Sequence, residues 1–205
     1  QTSFDYYESK MGGQQRTFSD MLSVAGGYII AIYGGQTVVV SARRARERLL
    51  YDDILTSMNN GATPSQRMFF PEELTLSLEE YETMEQYATE FAAMGFEIEY
   101  RGEGRIEVLG HPAMIQSSTP IDELIYELLH GIECGEKPIH EQRAHLAELM
   151  ARRASAGYGR NLQRSDIEEL LKRLEKSPNP SFTPSGAPIM AELTTEELRA
   201  KLTKI

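Results

Sequence analysis

The chain has 205 residues, 40% of them hydrophobic and 25% charged, with a formal net charge of −10. That length buries a sizeable core in one large domain or two small ones, and the acidic balance excludes bulk electrostatic capture of nucleic acid, which needs many phosphate-neutralising cations. No run nears the roughly 18 apolar residues of a membrane span, and the single Cys134 excludes both an intrachain disulfide framework and a zinc site built on paired cysteines.

A soluble, cytoplasmic chain is therefore the expectation. Because it opens on Gln1 rather than methionine, it is also expected to be processed or excised from a longer protein. Residues 1–13 read as a linker end, within a polar, non-periodic lead that continues to residue 16. Two β-rich runs follow, Tyr28 to Tyr33 and Thr37 to Ser41, and Gly34-Gly35 between them predicts a tight hairpin.

Next comes "SARRARERLLYDD", with four arginines within six positions. Ser41 is suited to cap a helix running to about Met58, with Ala45, Leu49 and Leu50 on one face and Arg43–Glu47 and Arg48–Asp52 as i,i+4 ion pairs. "NNGATPSQ" marks a subdomain boundary, and residues 66–75 look extended. Ser77 with Glu80 forms a capping box that opens one helix through Met94, stopped by Gly95.

Two short strands are predicted at Phe96 to Arg101 and Arg105 to Leu109, then helices from Pro120 to Cys134 and from His140 to Tyr158. A further helix starts at Ser165 with Ile167, Leu170, Leu171 and Leu174 on one side. The Pro-rich loop "SPNPSFTPSGAP" has the length of a functional loop, and a strand from Ile189 to Leu193 with a capped helix from Thr194 completes the pattern.

The residues show no catalytic constellation. Glu47, Asp52 and Asp53 could chelate a divalent ion, but surface acids pairing with neighbouring arginines explain them as well. His111 precedes a proline without a nucleophile nearby in sequence, and His140 and His145 are five apart, the wrong spacing for a shared helical face. "GEGR" and "GYGRN" read as turns rather than phosphate loops. "QRMFFP" is either an extended segment that docks in a partner's apolar groove or a strand entering its own core.

Taken in serial order, "GYIIAI", "TVVVS", "ERLLYDD", "QRMFFP", "LSLEEYETMEQYATEFAAMGFEIE", "HPA", "GRNLQRSDIEELLKRL" and "TPSGAPIM" resemble the carboxy-terminal domain of the DNA mismatch-repair protein MutL, over about residues 20 to 205. The resemblance implies an α/β fold of two subdomains, with a discontinuous dimerisation subdomain at 14–60 and 159–205 and an inserted regulatory subdomain, helical with a small sheet, at 61–158. It implies a homodimer, with Tyr28, Ile30, Ile32, Val38, Val40, Ile189 and Leu193 as interface candidates.

Many members of that family are also metal-dependent endonucleases, and their signatures are degenerate here. The Asp-Gln-His-Ala motif falls on Ser41-Ala42-Arg43-Arg44, followed by Glu47 and Asp52; the Cys-Pro-His-Gly-Arg-Pro motif falls on Thr183 to Pro188, with Thr183 and Ser185 at the ligand positions; and Arg152 stands where a third signature has cysteine. A nuclease metal needs several converging deprotonated ligands, so no catalytic residue, metal or cofactor is expected.

The resemblance also implies that Gln66, Met68, Phe69, Phe70 and Pro71 form a sliding-clamp binding segment, with other mismatch-repair proteins as further partners. Arg43, Arg44 and Arg46 are candidates for DNA contact in the full-length protein. The competing reading is an endonuclease using atypical ligands such as Glu47, Asp52 and His111.

Overall fold

A computed structural model describes residues 17–61, 63–115, 119–132 and 139–203; the expected linker at 1–13 and Cys134 lie outside the described residues. In chain order the elements are β1 (Phe18–Val24), β2 (Tyr28–Tyr33), β3 (Gln36–Ser41), α1 (Ala42–Asn60), β4 (Ser65–Thr75), α2 (Leu78–Gln86) and α3 (Ala88–Met94). There follow β5 (Glu97–Gly102), β6 (Arg105–Pro112), α4 (Ile121–Gly131), α5 (Ile139–Ala154), α6 (Arg164–Leu174), β7 (Met190–Glu192) and α7 (Thr195–Leu202). The fold is α/β, with one antiparallel sheet ordered β1-β2-β3-β7 and a second ordered β4-β6-β5.

The hairpin forms where the glycines predict it. Tyr33 pairs with Gln36, so Gly34 and Gly35 are the whole loop, at φ of 58° and 84° that a residue with a Cβ resists. Strand β1 is not visible in the hydrophobic pattern, because "FSDMLSV" is an edge strand with most side chains outward. It is held instead by pairing with β2, by the Phe18 ring stacked on Tyr33 at 4.4 Å, and by the Phe18 amide donating to the Glu175 carboxylate at 2.5 Å.

Helix α1 starts where expected: the Ser41 hydroxyl accepts from the Arg44 amide, and Gly61 ends the helix in the left-handed region at φ 83°. Both predicted ion pairs form, Arg43–Glu47 at 3.5 Å and Arg48–Asp52 at 2.6 Å. The single helix expected from residue 77 to Met94 is in fact two, broken at Tyr87, whose φ of −101° and ψ of 17° lie in the bridge region. The Tyr87 side chain is buried in the core, so tertiary packing overrides the continuous helical periodicity. The strand expected from Ile189 to Leu193 keeps only Met190–Glu192 as ladder, though Ile189 and Leu193 still bond to Ser41 and Thr37 of β3.

Two cores result. One packs the inward residues Ile29, Ala31, Val38, Val40 and Met190 of the first sheet against Ala42, Ala45 and Leu49 of α1 and Ile167, Leu170, Leu171 and Leu174 of α6. The other packs Leu50, Ile54 and Met58, the lower half of α1, against the second sheet and α2 to α5. The division between the cores falls inside α1, between Leu49 and Leu50.

Ile29 is fully enclosed in the first core. Ile29→Ala should therefore destabilise the chain by about 2–5 kcal/mol, the usual cost of a large-to-small change that leaves a cavity, read as a fall in the urea midpoint with unchanged slope.

Candidate functional site

Alternation along the first sheet sends every second residue outward. The registers align Val24 with Tyr28, Leu22 with Ile30, Val39 and Ala191, and Ile32 with Thr37. These rows form one apolar face that no element of the described chain buries, with Leu22 64% and Tyr28 50% exposed. An outward face of aliphatic and aromatic residues on a short sheet is a surface suited to a second protein.

This geometry sorts the seven interface candidates. Tyr28, Ile30 and Ile32 lie on the outward face, and Leu193 is half-buried beside it. Val38, Val40 and Ile189 are buried inside the protomer and leave the available surface, while Val39, Leu22 and Val24 join it. The hairpin could have shown this: a two-residue loop fixes Ile30 opposite Val39, so Val39 shares its face and Val38 does not.

The positions expected from the resemblance to be degenerate nuclease signatures gather around the start of α1. Glu47 is buried, and an Arg43 guanidinium N–H donates to its carboxylate at 3.5 Å. Burial pushes the Glu47 carboxyl above the usual carboxylate range; the nearby charges of Arg43, Arg152 and Arg44 pull it down without overcoming that. Arg152, on α5, pairs with Glu127 at 3.2 Å.

The loop at 183–188 leans on the same helix end, where an Arg44 guanidinium N–H donates to the Pro188 carbonyl at 2.8 Å. Thr183 and Ser185 are spent on the loop itself: their hydroxyls bond to each other at 2.9 Å, and the Ala187 amide donates to the Thr183 hydroxyl at 3.0 Å. The other acids offered as ligands are also engaged. Asp52 accepts from Arg48 and from the Ser177 hydroxyl, both at 2.6 Å, and Asp53 pairs with Arg173 at 2.6 Å. His111 is buried on β6 in the second sheet, its Nδ1 3.1 Å from the Pro112 carbonyl. Among the described residues no group of three or more His, Cys, Asp or Glu side chains is placed to hold a metal ion.

Each DNA-contact candidate has an intramolecular engagement: Arg43 with Glu47, Arg44 with Pro188, and Arg46 over the Tyr158 ring at 5.4 Å from its centroid. The segment from Gln66 to Pro71 is different. The β4–β6 register shifts between Arg67 and Glu72, so the intervening residues bulge out of the ladder. Phe69 is 99% and Phe70 86% exposed, Gln66 and Pro71 are exposed, and Met68 alone turns back to touch the second core. Burial of the two rings in their own core is thereby ruled out.

The sequence matches the family model described as the MutL C terminal dimerisation domain over residues 22–162. It is similar to the DNA mismatch repair protein MutL of Bacteroides fragilis (28% identical over 178 residues, 86% of this chain and 28% of the relative). The proteins of the same name from Phocaeicola vulgatus (27% over 191 residues, 93% and 30%) and Chelativorans sp. (29% over 173 residues, 83% and 28%) are similar too. The chain thus spans less than a third of the length of these curated relatives.

The raised Glu47 pKa has a definite sign in stability. A carboxyl that holds its proton more tightly when folded costs the native state stability as pH rises through the carboxylate range, and costs nothing below the unfolded value. Glu47→Gln should therefore gain stability relative to the parent as pH rises from about 4 to 7, compared as urea midpoints at each pH.

Proposed function

The chain belongs to the MutL C-terminal dimerisation domain family, and on that premise we propose that it homodimerises through the outward face of the first sheet and serves a mismatch-repair protein as a non-catalytic docking module. The observation that carries the reading is that apolar face itself. Leu22, Val24, Tyr28, Ile30, Ile32 and Val39 are a large apolar investment for a surface with no covering element among the described residues. Symmetric homodimers bury such self-complementary patches.

In this reading residues 14–60 with 159–205 make the dimerisation subdomain, and the inserted 61–158 carries the docking segment. The non-catalytic role is supported by the engagement of Glu47, Asp52, Thr183 and Ser185, whose polar atoms are taken up in ion pairs and loop hydrogen bonds. The cytoplasm is the setting that goes with this proposed role. Separately, no helix of the described residues is long and apolar enough to cross a membrane. DNA contact through Arg43, Arg44 and Arg46 is the weaker reading, because each must leave a partner to reach a phosphate.

The docking segment fits a sliding clamp. Two adjacent phenylalanines held in solvent by a strand bulge, with Gln66 before and Pro71 after, present rigid aromatic anchors of the kind that dominate binding to apolar grooves.

Two experiments test this function. Leu22→Asp with Ile30→Asp places charges on the outward face without touching the core, so it should convert the chain to a folded monomer in sedimentation equilibrium; a parent that is monomeric at high concentration would sink the dimer reading. Phe69→Ala with Phe70→Ala should weaken binding to the sliding clamp of the same cell by tenfold or more in calorimetric titration. The urea midpoint should barely move, because both rings already face water.

A further inference from the structure

Helix α7 is an ordered, well-capped helix that buries nothing. Thr194 and Glu197 form a reciprocal capping box, yet every residue from Thr195 to Leu202 is exposed. Leu198 and Leu202, one turn apart on one stripe, are 41% and 76% exposed. An eight-residue helix is marginal in water without a packed face, so the capping box alone is a weak reason for it to persist.

The sheet it leaves has a matching apolar corner that it does not cover. Leu193 bonds to Thr37, so α7 departs at the β7 edge and at the end of the sheet that carries the β2–β3 turn. The most exposed apolar side chains of the sheet, Leu22, Val24 and Tyr28, lie toward the other edge and the other end, where Val24 pairs with Tyr28 and Tyr28 with Ser41. Three strand spacings across and two to four residues along put this corner roughly 16–20 Å away. A helix of eight residues spans only about 12 Å.

We propose that α7 is a dimer clasp: its Leu198–Leu202 stripe packs on the Leu22, Val24 and Tyr28 corner of a second copy of this chain. The proposal rests on the dimerisation reading above and adds the geometry of that dimer. Face-to-face sheets related by a two-fold axis, lying between them and running along the diagonal that avoids both corners, bring the helix corner of each copy over the strand corner of its partner. Each contact then forms twice, as an isologous interface requires, and the strands of the two sheets cross near the right angle of orthogonal packing. One surface thereby covers both apolar features that a single copy leaves in water.

The test uses the 205-residue chain with Cys134→Ser, so that introduced thiols are the only ones. Chains carrying Leu22→Cys and chains carrying Leu202→Cys are mixed, re-equilibrated and oxidised. A disulfide-linked pair should form between the two variants, well above that from Leu202→Cys mixed with Glu82→Cys, an exposed site in the other core's helices. Leu198→Asp with Leu202→Asp should weaken the dimer at least tenfold without lowering the thermal midpoint of the Leu22→Asp/Ile30→Asp monomer.

A parent chain that dimerises while the cross-link and the Asp effect are both absent overturns the clasp and leaves the dimer reading standing. A cross-link formed within one chain carrying both cysteines overturns it too, by placing α7 on its own sheet. A parent that never dimerises removes both.

Discussion

The structure depends on a single helix serving two cores with consecutive residues. Leu49 of α1 enters the core beneath the first sheet, and Leu50 enters the core of the second. Adjacent helical positions point about 100° apart, so α1 can lie in two cores only by sitting in the seam between them. Its sequence reflects this: the buried set Ala42, Ala45, Leu49, Leu50, Ile54 and Met58 is spread around the helix rather than along one stripe. The charged residues fit between those contacts, pairing along the helix where the cores leave a gap.

The same helix organises its surroundings at its start. Arg43, Arg44 and Arg152 surround Glu47, while the loop at 183–188 keeps a tight turn through Gly186 at φ 82° and the hydroxyls of its Thr183 and Ser185 bond to each other. The backbone path of the loop is fixed from both sides, since Arg44 ties the loop to the helix and Ser41 bonds to Ile189 just beyond it.

Much of this was legible in the sequence because local chemistry and tertiary structure agree. The glycine hairpin, the Ser41 cap, the Ser77–Glu80 capping box and the apolar stripe of α6 appear where short-range rules put them. Illegible were features set by pairing or packing at a distance. Strand β1 has no hydrophobic alternation to announce it, the break at Tyr87 follows from burying its ring, and the exposure of Phe69 and Phe70 follows from a register shift against β6. The outward face was legible only in part: of the residues named from β2 and β3, Tyr28, Ile30 and Ile32 face out while Val38 and Val40 are buried, and the two-residue loop places Val39 on the outward side.

The charge distribution bears on what the domain can do alone. A net charge of −10 makes approach to a polyanion unfavourable at long range, and the arginines that looked available near the start of α1 are committed at short range. Moving Arg44 to a phosphate would free the Pro188 carbonyl and loosen the junction of α1 with the 183–188 loop, and moving Arg43 would leave the buried Glu47 carboxyl without its bonded partner. Apolar contact carries no such penalty. The outward sheet face, the α7 stripe and the Phe69–Phe70 pair are already desolvation-ready surfaces, so association through them gains free energy from burial without first breaking an internal bond. These energetics are the physical ground for the proposal that the domain joins proteins, with DNA contact as the weaker reading.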